Sequence, residues 1–284
     1  MNINLAIAER ARAGEALTAA EIDELGSADI LSLGMLADEV RRARVGDTVS
    51  YVRVAELPAA QGAQGPGIEL RLSQLPATLA DTEALIAEAK MLAGPQLLTG
   101  FSLAEIADRH WGKLVEVLQR IKHAGLDAIV EAPIDCLHDA EEALKTCDQA
   151  GLPVRCLSLQ RPIEGDGRAS WLIHLRDLAK KFPKIDVVNP LSREQSIQVP
   201  TTGYEDVRAV ALARLVLPSV KTIQVDWAQY GPKLAQVALT FGANDLDRVS
   251  TVDDESLGRR RTSVEDVKRN IVAAGFTPVE RAAG

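Results

Sequence analysis

The chain has 284 residues, 46% hydrophobic residues and a formal net charge of −8. This composition predicts a globular protein with one large α/β domain or two small ones. The acidic balance argues against a nucleic acid or an anionic membrane as partner, because both require a basic surface. No apolar stretch approaches the roughly 18 residues of a membrane span, and the N-terminal residues lack the pattern of a signal peptide. We therefore expect a cytoplasmic protein.

Residues 1–46 are predicted to be helical. Thr18 and Glu21 have the spacing of a capping box, and the segment after them has apolar residues three and four positions apart. From residue 47 onward, predicted strands alternate with predicted helices. The strand candidates are short and rich in Val, Ile or Leu, and they cover residues 49–57, 68–75, 95–101, 128–134, 154–160, 186–192, 221–227 and 248–253.

This alternation predicts an α/β fold, a TIM-like (β/α) barrel over residues 47–284, with residues 1–46 as an N-terminal helical extension. One connection does not fit the pattern. Only the sequence PAAQGAQGPG separates the first two strands, whereas parallel neighbours usually need a crossover of a dozen or more residues that contains a helix. We therefore expect the barrel to be incomplete or distorted near strands 1 and 2.

The three cysteines, Cys136, Cys147 and Cys156, have a spacing that matches no zinc, iron–sulfur or redox motif. An odd number in a chain expected to be cytoplasmic favours buried free thiols. The histidines show neither HxH nor HExxH spacing. The sequence therefore predicts no metal site.

Five segments carry a family resemblance: LADEVRRARVGDTVSYVRV, GFSLAEIADRHWGKLVEVLQRIKHAGLDAI, PTTGYEDVRAVALARLVL, IQVDWAQYGPKLAQVALTFGANDLD and AAGFTPVER. They resemble radical S-adenosylmethionine enzymes of the aminofutalosine synthase group, which includes the cyclic dehypoxanthinyl futalosine synthase and the deazaflavin chromophore synthase. The resemblance is weakest over residues 55–95.

The resemblance implies a CxxxCxxC motif after the YVR strand, whose thiolates hold a four-iron cluster that binds S-adenosylmethionine. Here AELPAAQGAQGPG stands in its place, and no cysteine precedes Cys136. The glycine-rich turn of the relatives after the second strand is replaced by LSQLP. Because this cluster type requires thiolate ligands, we predict no [4Fe–4S] cluster, no binding of S-adenosylmethionine and no radical catalysis by the family mechanism.

A (β/α) barrel places its binding site at the C-terminal ends of its strands, the mouth. Polar residues near the predicted strand ends are therefore the candidate ligand-binding residues, and the resemblance implies that the region of Lys233, Asn244 and Asp245 helps to build the mouth. For Asn244 and Asp245 a structural role in the turn after Gly242 stays open. The candidates are Arg53, Arg71, Thr99, Glu131, Asp135, Asn189, Asp226, Gln229, Lys233, Asn244 and Asp245.

Three functions stay open. The first is a degenerate radical-SAM-like protein that binds a nucleoside-like metabolite, or that partners an active relative in the futalosine pathway to menaquinone. The second is a non-radical enzyme with acid–base residues at the mouth, for which Glu131 and Asp135 are the candidate pair. The third is a structural subunit. The expected partners are a small nucleoside-like ligand and either a homo-oligomer or a complex with an active paralogue, with neither nucleic acid nor membrane.

Overall fold

This computed structural model of the chain describes residues 3–57, 67–162, 167–193, 202–251 and 264–282. The segment before the barrel forms three helices, α1 (Leu5–Ala13), α2 (Ala19–Gly26) and α3 (Ile30–Val45). As the sequence predicts, Thr18 and Glu21 form a capping box at the start of α2. Asp29 caps α3 by accepting a hydrogen bond from the backbone N–H of Ser32.

Strands and helices then alternate along the chain. The strands of the barrel are β1 (Thr48–Leu57), β2 (Ile68–Leu72), β3 (Leu98–Ser102), β4 (Ala128–Pro133), β5 (Val154–Leu159), β6 (Val187–Ser192), β7 (Thr222–Asp226) and β8 (Asp245–Ser250), and a short β9 (Thr277–Glu280) follows. The helices around them are α4 (Leu79–Ala93), α5 (Leu103–Asp108), α6 (Leu114–Ala124), α7 (Ala140–Ala150), α8 (Arg168–Lys181), α9 (Gly203–Val216), α10 (Trp227–Thr240) and α11 (Val264–Ala273). None of the helices in the described ranges is long and apolar enough to cross a membrane.

The barrel closes at the position where the sequence left it in doubt. On one edge β1 pairs in parallel with β8, with Ser50 beside Asp245. On the other edge it pairs in parallel with β2, with Leu57 beside Leu72. The eight strands therefore form a complete TIM-like barrel. The ten residues between β1 and β2 are enough for this parallel connection, although residues 58–66 lie outside the described residues.

The irregularity at this position is the ninth strand. β9 pairs in parallel with the N-terminal half of β1, from Thr48 beside Thr277 to Tyr51 beside Glu280. Tyr51 also pairs with Leu246 of β8, so β8 and β9 lie on opposite edges of β1. It follows that β2 and β9 share one edge, with β2 along the C-terminal half and β9 along the N-terminal half.

The N-terminal helices pack against the outside of the barrel. Leu33 of α3 and Leu212 of α9 are fully buried and belong to the same hydrophobic core. Arg41 of α3, also fully buried, donates a hydrogen bond from Nε to the carbonyl oxygen of Ala243 at 3.2 Å, just before β8 begins. The extension therefore shares its core with the barrel.

The two faces of the barrel strands differ in chemistry. On β7, Ile223 and Val225 are fully buried and apolar and belong to the core, whereas Gln224 and Asp226, which alternate with them, are buried and polar. Successive side chains of a strand point to opposite faces, so the apolar residues face the helices and the polar residues face the interior of the barrel. The interior is therefore polar, and its groups need partners.

Candidate binding site at the barrel mouth

A cavity of about 500 Å³ opens at the C-terminal ends of the strands, and we call it the mouth cavity. Its volume lies within the range of small-molecule sites, about 300–1,000 Å³. One part of its wall is apolar and is formed by Leu72, Phe101, Ala104, Val130 and Pro133. Its charged and polar wall residues include Glu56, Arg71, Glu105, Asp108, Glu131, Gln160, Arg193, Asp226, Gln229 and Arg248.

The floor of the mouth cavity is held by a buried ion-pair network around Arg71. The Arg71 guanidinium donates to Glu69 Oε1 at 2.6 and 2.9 Å and to the two oxygens of Asp247 at 2.8 and 3.0 Å. Thr99 donates to the same Glu69 oxygen at 2.6 Å. Burial would raise the pKa of Asp247, but the charge of Arg71 outweighs it, so that the pKa lies below its usual range.

A second network crosses the wall of the mouth cavity and alternates in charge. Arg193 donates from Nε to Glu131 at 2.7 Å and from Nη1 to Asp226 at 2.9 Å. Arg248 donates from Nη1 to the same Asp226 oxygen at 3.2 Å and from Nε to Glu56 at 2.8 Å. Asp226 is fully buried, and these two guanidinium groups compensate its charge. The network therefore fixes side chains from β1, β4, β7 and β8 in one arrangement.

The backbone is strained at two positions of the mouth. Phe101, at the end of β3, has φ 60° and Arg248, in β8, has φ 55°. Both residues line the mouth cavity. A side chain other than glycine rarely adopts such positive φ values, and residues of this kind concentrate at functional sites. The strain therefore supports the mouth as the candidate functional site.

Four predicted site residues, Arg71, Glu131, Asp226 and Gln229, line the mouth cavity. Gln229 donates from its side-chain amide to the carbonyl oxygens of Ser192 and Arg193 at 3.0 and 3.1 Å and so supports the wall. Thr99 lies below the cavity on β3, bonded to Glu69 as described above.

The candidate acid–base pair has separate partners. Asp135 accepts hydrogen bonds from the backbone N–H groups of Gln160 and Arg161 at 2.7 and 2.9 Å, so it anchors the chain after β5. Glu131 binds Arg193 instead. Because both carboxylates are engaged in different structural contacts, the structure gives no support to their acting as a pair.

Two predicted residues lie on the outside of the barrel. Arg53 forms an ion pair with Glu280 of β9, and its position in β1 is three residues before the inward-facing Glu56. Residues three apart in a strand lie on opposite faces, which is why Arg53 does not reach the mouth. Lys233 is exposed on α10 and does not line the mouth cavity. The prediction that they belong to the mouth is wrong.

Asn244 and Asp245 are also not at the mouth, because they lie where β8 begins. Asn244 Oδ1 accepts hydrogen bonds from Arg214 Nη2 at 2.6 Å and from the backbone N–H of Ile223 at 2.9 Å. This is a structural role, directed at the neighbouring strand rather than at the turn after Gly242. Asp245 lines a second cavity of about 500 Å³ at the opposite end of the barrel, where Arg281 donates to it at 2.8 Å.

Asn189 is fully buried inside the barrel and lines neither cavity. Its Oδ1 accepts a hydrogen bond from the backbone N–H of Leu191 at 3.0 Å. Its Nδ2 has no hydrogen-bond partner within the part of the chain that the structure describes.

Arg193 and Arg248 are the site residues that the sequence did not reveal. Arg193 follows β6 directly, one residue beyond the predicted strand 186–192. Arg248 was missed because the start of the eighth strand was predicted wrongly: the predicted strand began at 248, whereas β8 begins at Asp245. A strand that starts three residues earlier carries Arg248 toward its C-terminal end, where the mouth is. Extending each strand by a few residues would have found both.

The cysteines do not provide the thiolate set of the family. Cys136 is exposed and lines the mouth cavity, whereas Cys147 on α7 and Cys156 on β5 are buried. Among the described residues no group of three or more His, Cys, Asp or Glu side chains could hold a metal ion. A four-iron cluster held as in the relatives therefore does not fit these residues, and we derive no chemistry through it.

The thiols are expected to differ in reactivity. Burial raises the pKa values of Cys147 and Cys156 to about 12, so at pH 8 both stay protonated and shielded, and only thiolates react. A native titration with a disulfide reagent should count one fast thiol per chain, and three after unfolding. Cys136→Ser should remove the fast thiol. Two or more equally fast thiols in the native protein would contradict the assignment.

The C-terminal third of the chain has a recognised relationship. Residues 181–283 match the family described as the CofH/MqnC C-terminal region. A 5-amino-6-(D-ribitylamino)uracil–L-tyrosine 4-hydroxyphenyl transferase of Methanosarcina barkeri is 28% identical over 200 aligned positions, covering 58% of this chain and 52% of the relative. A transferase of the same name from Methanosarcina acetivorans is 25% identical over 318 aligned positions, covering 86% of this chain and 84% of the relative.

The fold is shared with solved structures. Methylornithine synthase (PylB) superposes with a TM-score of 0.69 at 14% identity, over 96% of this chain and 97% of that chain. The match with the Methanosarcina barkeri transferase spans only about half the length of that relative. The family resemblance drawn from the sequence motifs and the TIM-like fold are thus both confirmed.

Proposed function

We propose that this chain, a homologue of the radical S-adenosylmethionine enzymes of the aminofutalosine synthase and deazaflavin chromophore synthase group, binds a nucleoside-like small molecule in its mouth cavity. The ligand we favour carries a pyrimidine ring and a polyol chain, as 5-amino-6-(D-ribitylamino)uracil does. That compound is part of the names of the curated relatives, and for this chain it is our proposal.

The observation that carries the proposal is the composition of the mouth cavity. Leu72, Phe101 and Val130 offer an apolar surface on which a flat ring can lie. The opposing ion-paired side chains present polar groups in fixed positions, and such positions give orientation and specificity in small-molecule sites. A ligand with an apolar ring face and many hydroxyl groups matches both parts of the wall.

We further propose that binding occurs without radical catalysis by the family mechanism. The support is the sequence: AELPAAQGAQGPG contains no thiolate where the relatives carry three, and the cluster type needs thiolate ligands. A complex with an active paralogue and a function in the futalosine pathway also remain proposals. The names of the curated relatives favour the ribitylaminouracil over a futalosine nucleoside.

The two other functions have less support. Acid–base catalysis by the candidate pair would need carboxyl groups free to exchange protons, whereas Glu131 binds Arg193 and Asp135 accepts two backbone hydrogen bonds. A purely structural subunit would not need an open cavity at the mouth, and the described residues enclose one.

The test is a titration of the purified protein with 5-amino-6-(D-ribitylamino)uracil, aminofutalosine and S-adenosylmethionine, followed by calorimetry and thermal unfolding. A ligand that binds the folded state at 100 times its Kd stabilises it by about 2.7 kcal/mol. We expect the ribitylaminouracil to raise Tm and S-adenosylmethionine to leave it unchanged. A rise in Tm with S-adenosylmethionine would contradict the predicted absence of its binding site. If neither nucleoside-like compound changes Tm, the proposal is overturned.

A matched pair of variants locates the binding. Ser73 is exposed and lines the mouth cavity, so Ser73→Trp should weaken binding at least about tenfold by obstructing the cavity. Ser219 is exposed in the turn before β7, at the other end of the barrel, so Ser219→Trp should leave Kd unchanged. Equal affinities in the two variants would place the ligand elsewhere.

A further inference from the structure

Cys156 and Ser158 of β5, and Gln160 directly after it, lie at alternate positions along the interior of the barrel. Cys156 lines the cavity at the N-terminal end of the barrel, and Gln160 lines the mouth cavity. Ser158 lies between them in the sequence, two residues from each. Alternate residues of a strand share a face, so the Ser158 side chain points into the interior between the two cavities.

Ser158 and its neighbour on β6 carry unsatisfied polar groups. Ser158 pairs with Asn189 in the parallel register of β5 and β6, so their side chains lie on the same face. Both residues have 0% exposure. Within the described ranges, neither Ser158 Oγ nor Asn189 Nδ2 has a hydrogen-bond partner. Burying polar groups without partners is costly, and two adjacent cases require an explanation.

We propose that Ser158 and Asn189 donate hydrogen bonds to one oxygen acceptor of the ligand, which enters the barrel interior from the mouth. This inference rests on the proposed function and adds to it the deep end of the site. Asn189 Oδ1 is already occupied by the backbone N–H of Leu191, so the group that Asn189 offers is a donor. The ligand group that fits is a carbonyl oxygen, such as one of a pyrimidinedione ring, rather than an ammonium group.

Access to the pair depends on Gln160. Its backbone N–H and C=O are bonded to Asp135 and Ser192. No hydrogen bond of its side-chain amide occurs among the described residues, and the residue is half-buried at the floor of the mouth cavity. Rotating this side chain breaks no such bond, and in this inference the rotation is the step that opens the interior from the mouth cavity toward Ser158. The ring then reaches the donor pair while its polyol chain stays in the mouth.

Two serine-to-alanine variants test the inference with 5-amino-6-(D-ribitylamino)uracil as probe. Ser158→Ala removes a hydroxyl without a partner in the free protein, so Tm of the free protein should stay the same or rise. Its affinity for the probe should fall about 3- to 10-fold, the effect of losing one hydrogen bond. Ser50→Ala is the control, because Ser50 donates to Asp245 at 2.5 Å, far from the mouth. It should lower Tm and leave Kd unchanged.

The outcomes separate the inference from the function on which it rests. If the wild-type protein binds the probe and Ser158→Ala binds it equally well, the donor pair is not used and this inference alone is overturned. If Ser158→Ala lowers Tm of the free protein, the hydroxyl has a partner there, such as an ordered water, and the inference also fails. If the wild-type protein binds none of the nucleoside-like compounds, the proposed function fails and this inference with it.

Discussion

Arg71→Met is expected to lower the free energy of unfolding by about 3–5 kcal/mol, the cost of breaking a buried ion pair by removing one partner. Arg71 is the partner of two carboxylates, Glu69 and Asp247, whose side chains are only 2% and 3% exposed. Without the guanidinium, both buried carboxylates lose their main partner: the hydrogen bond from Thr99 remains at Glu69, and Arg281 Nη2 remains 3.8 Å from Asp247. Chemical unfolding in urea, with the slope checked for two-state behaviour, measures the change.

Arg12→Met is the matched control for this experiment. Arg12 also forms a two-bonded ion pair, with Glu39 at 2.8 and 2.9 Å, but both side chains are more than 40% exposed. Solvent screens such a pair, so its loss should cost about 1 kcal/mol or less. A smaller effect of Arg71→Met than of Arg12→Met would contradict the network as described. Changing Glu69 to Gln and Asp247 to Asn in the Arg71→Met background should recover part of the stability.

The same network sets an expected pH dependence. In the wild-type protein the pKa of Asp247 lies below its unfolded value of about 3.9. The stabilisation is therefore fully present above that value and is lost only as the pH falls through the lower, folded-state pKa. In Arg71→Met the main group that lowers the pKa of Asp247 is gone, while burial, which raises it, stays and Arg281 and Arg193 still lower it. The folded-state pKa of Asp247 is therefore higher in the variant than in the wild-type protein, so this carboxyl stabilises the variant less as pH rises. The stability difference between the two proteins should be smaller at pH 4.5 than at pH 7. A difference that grows toward acid pH would argue against Arg71 as the cause.

Arg193→Met is expected to lower the free energy of unfolding by about 3 kcal/mol and to weaken ligand binding at the mouth. The stability loss lies at the lower end for a broken buried pair, because Arg248 still contacts Asp226. Glu131 loses the partner that holds it in the wall of the cavity. The two carboxylates then repel each other, and the polar wall loses its fixed arrangement.

A double-mutant cycle with Glu131→Gln separates the pair from other effects of the substitution. A coupling energy of about 0.5–3 kcal/mol is typical for residues in direct contact. Glu131→Gln should therefore restore part of the stability of Arg193→Met, although it lowers the stability of the wild-type protein. Additive effects of the two substitutions would mean that the contact of 2.7 Å contributes nothing measurable.

The barrel could be predicted because most of its strands are apolar on the outer face and are separated by capped helices. The eighth strand shows where this reasoning failed. Its sequence, DLDRVS, alternates with Asp245 and Asp247, which are buried in the polar interior. Acidic residues at alternate positions suggest a turn in a sequence, since their partners, Arg71 and Arg281, are distant along the chain. The start of β8 was therefore placed three residues too late.

For the mouth residues, the positions could be predicted from the sequence, but the pairings could not. Arg71, Glu131 and Asp226 were predictable, because each lies on or beside an apolar strand near its C-terminal end. The pairing that gives them their roles was not, since Glu131 and Arg193 are 62 residues apart in the sequence. The two unsatisfied groups of the interior depend on the register between β5 and β6. Register across a barrel is a property of packing and cannot be derived from one strand alone.

The position of the ninth strand has a consequence for the synthesis of the protein on the ribosome. β1 is made early, but its neighbours on the two edges, around Asp245 and Glu280, follow 195 and 229 residues later. Until residue 280 has emerged, the N-terminal half of β1 has an edge without its native partner, and such an edge is prone to pair with other chains. Closure of the barrel by β8 and completion of this edge by β9 therefore both wait for residues that follow β1 by 195 and 229 positions. A chain interrupted before β9 should be held by chaperones or aggregate, even though it contains every residue of the mouth described above.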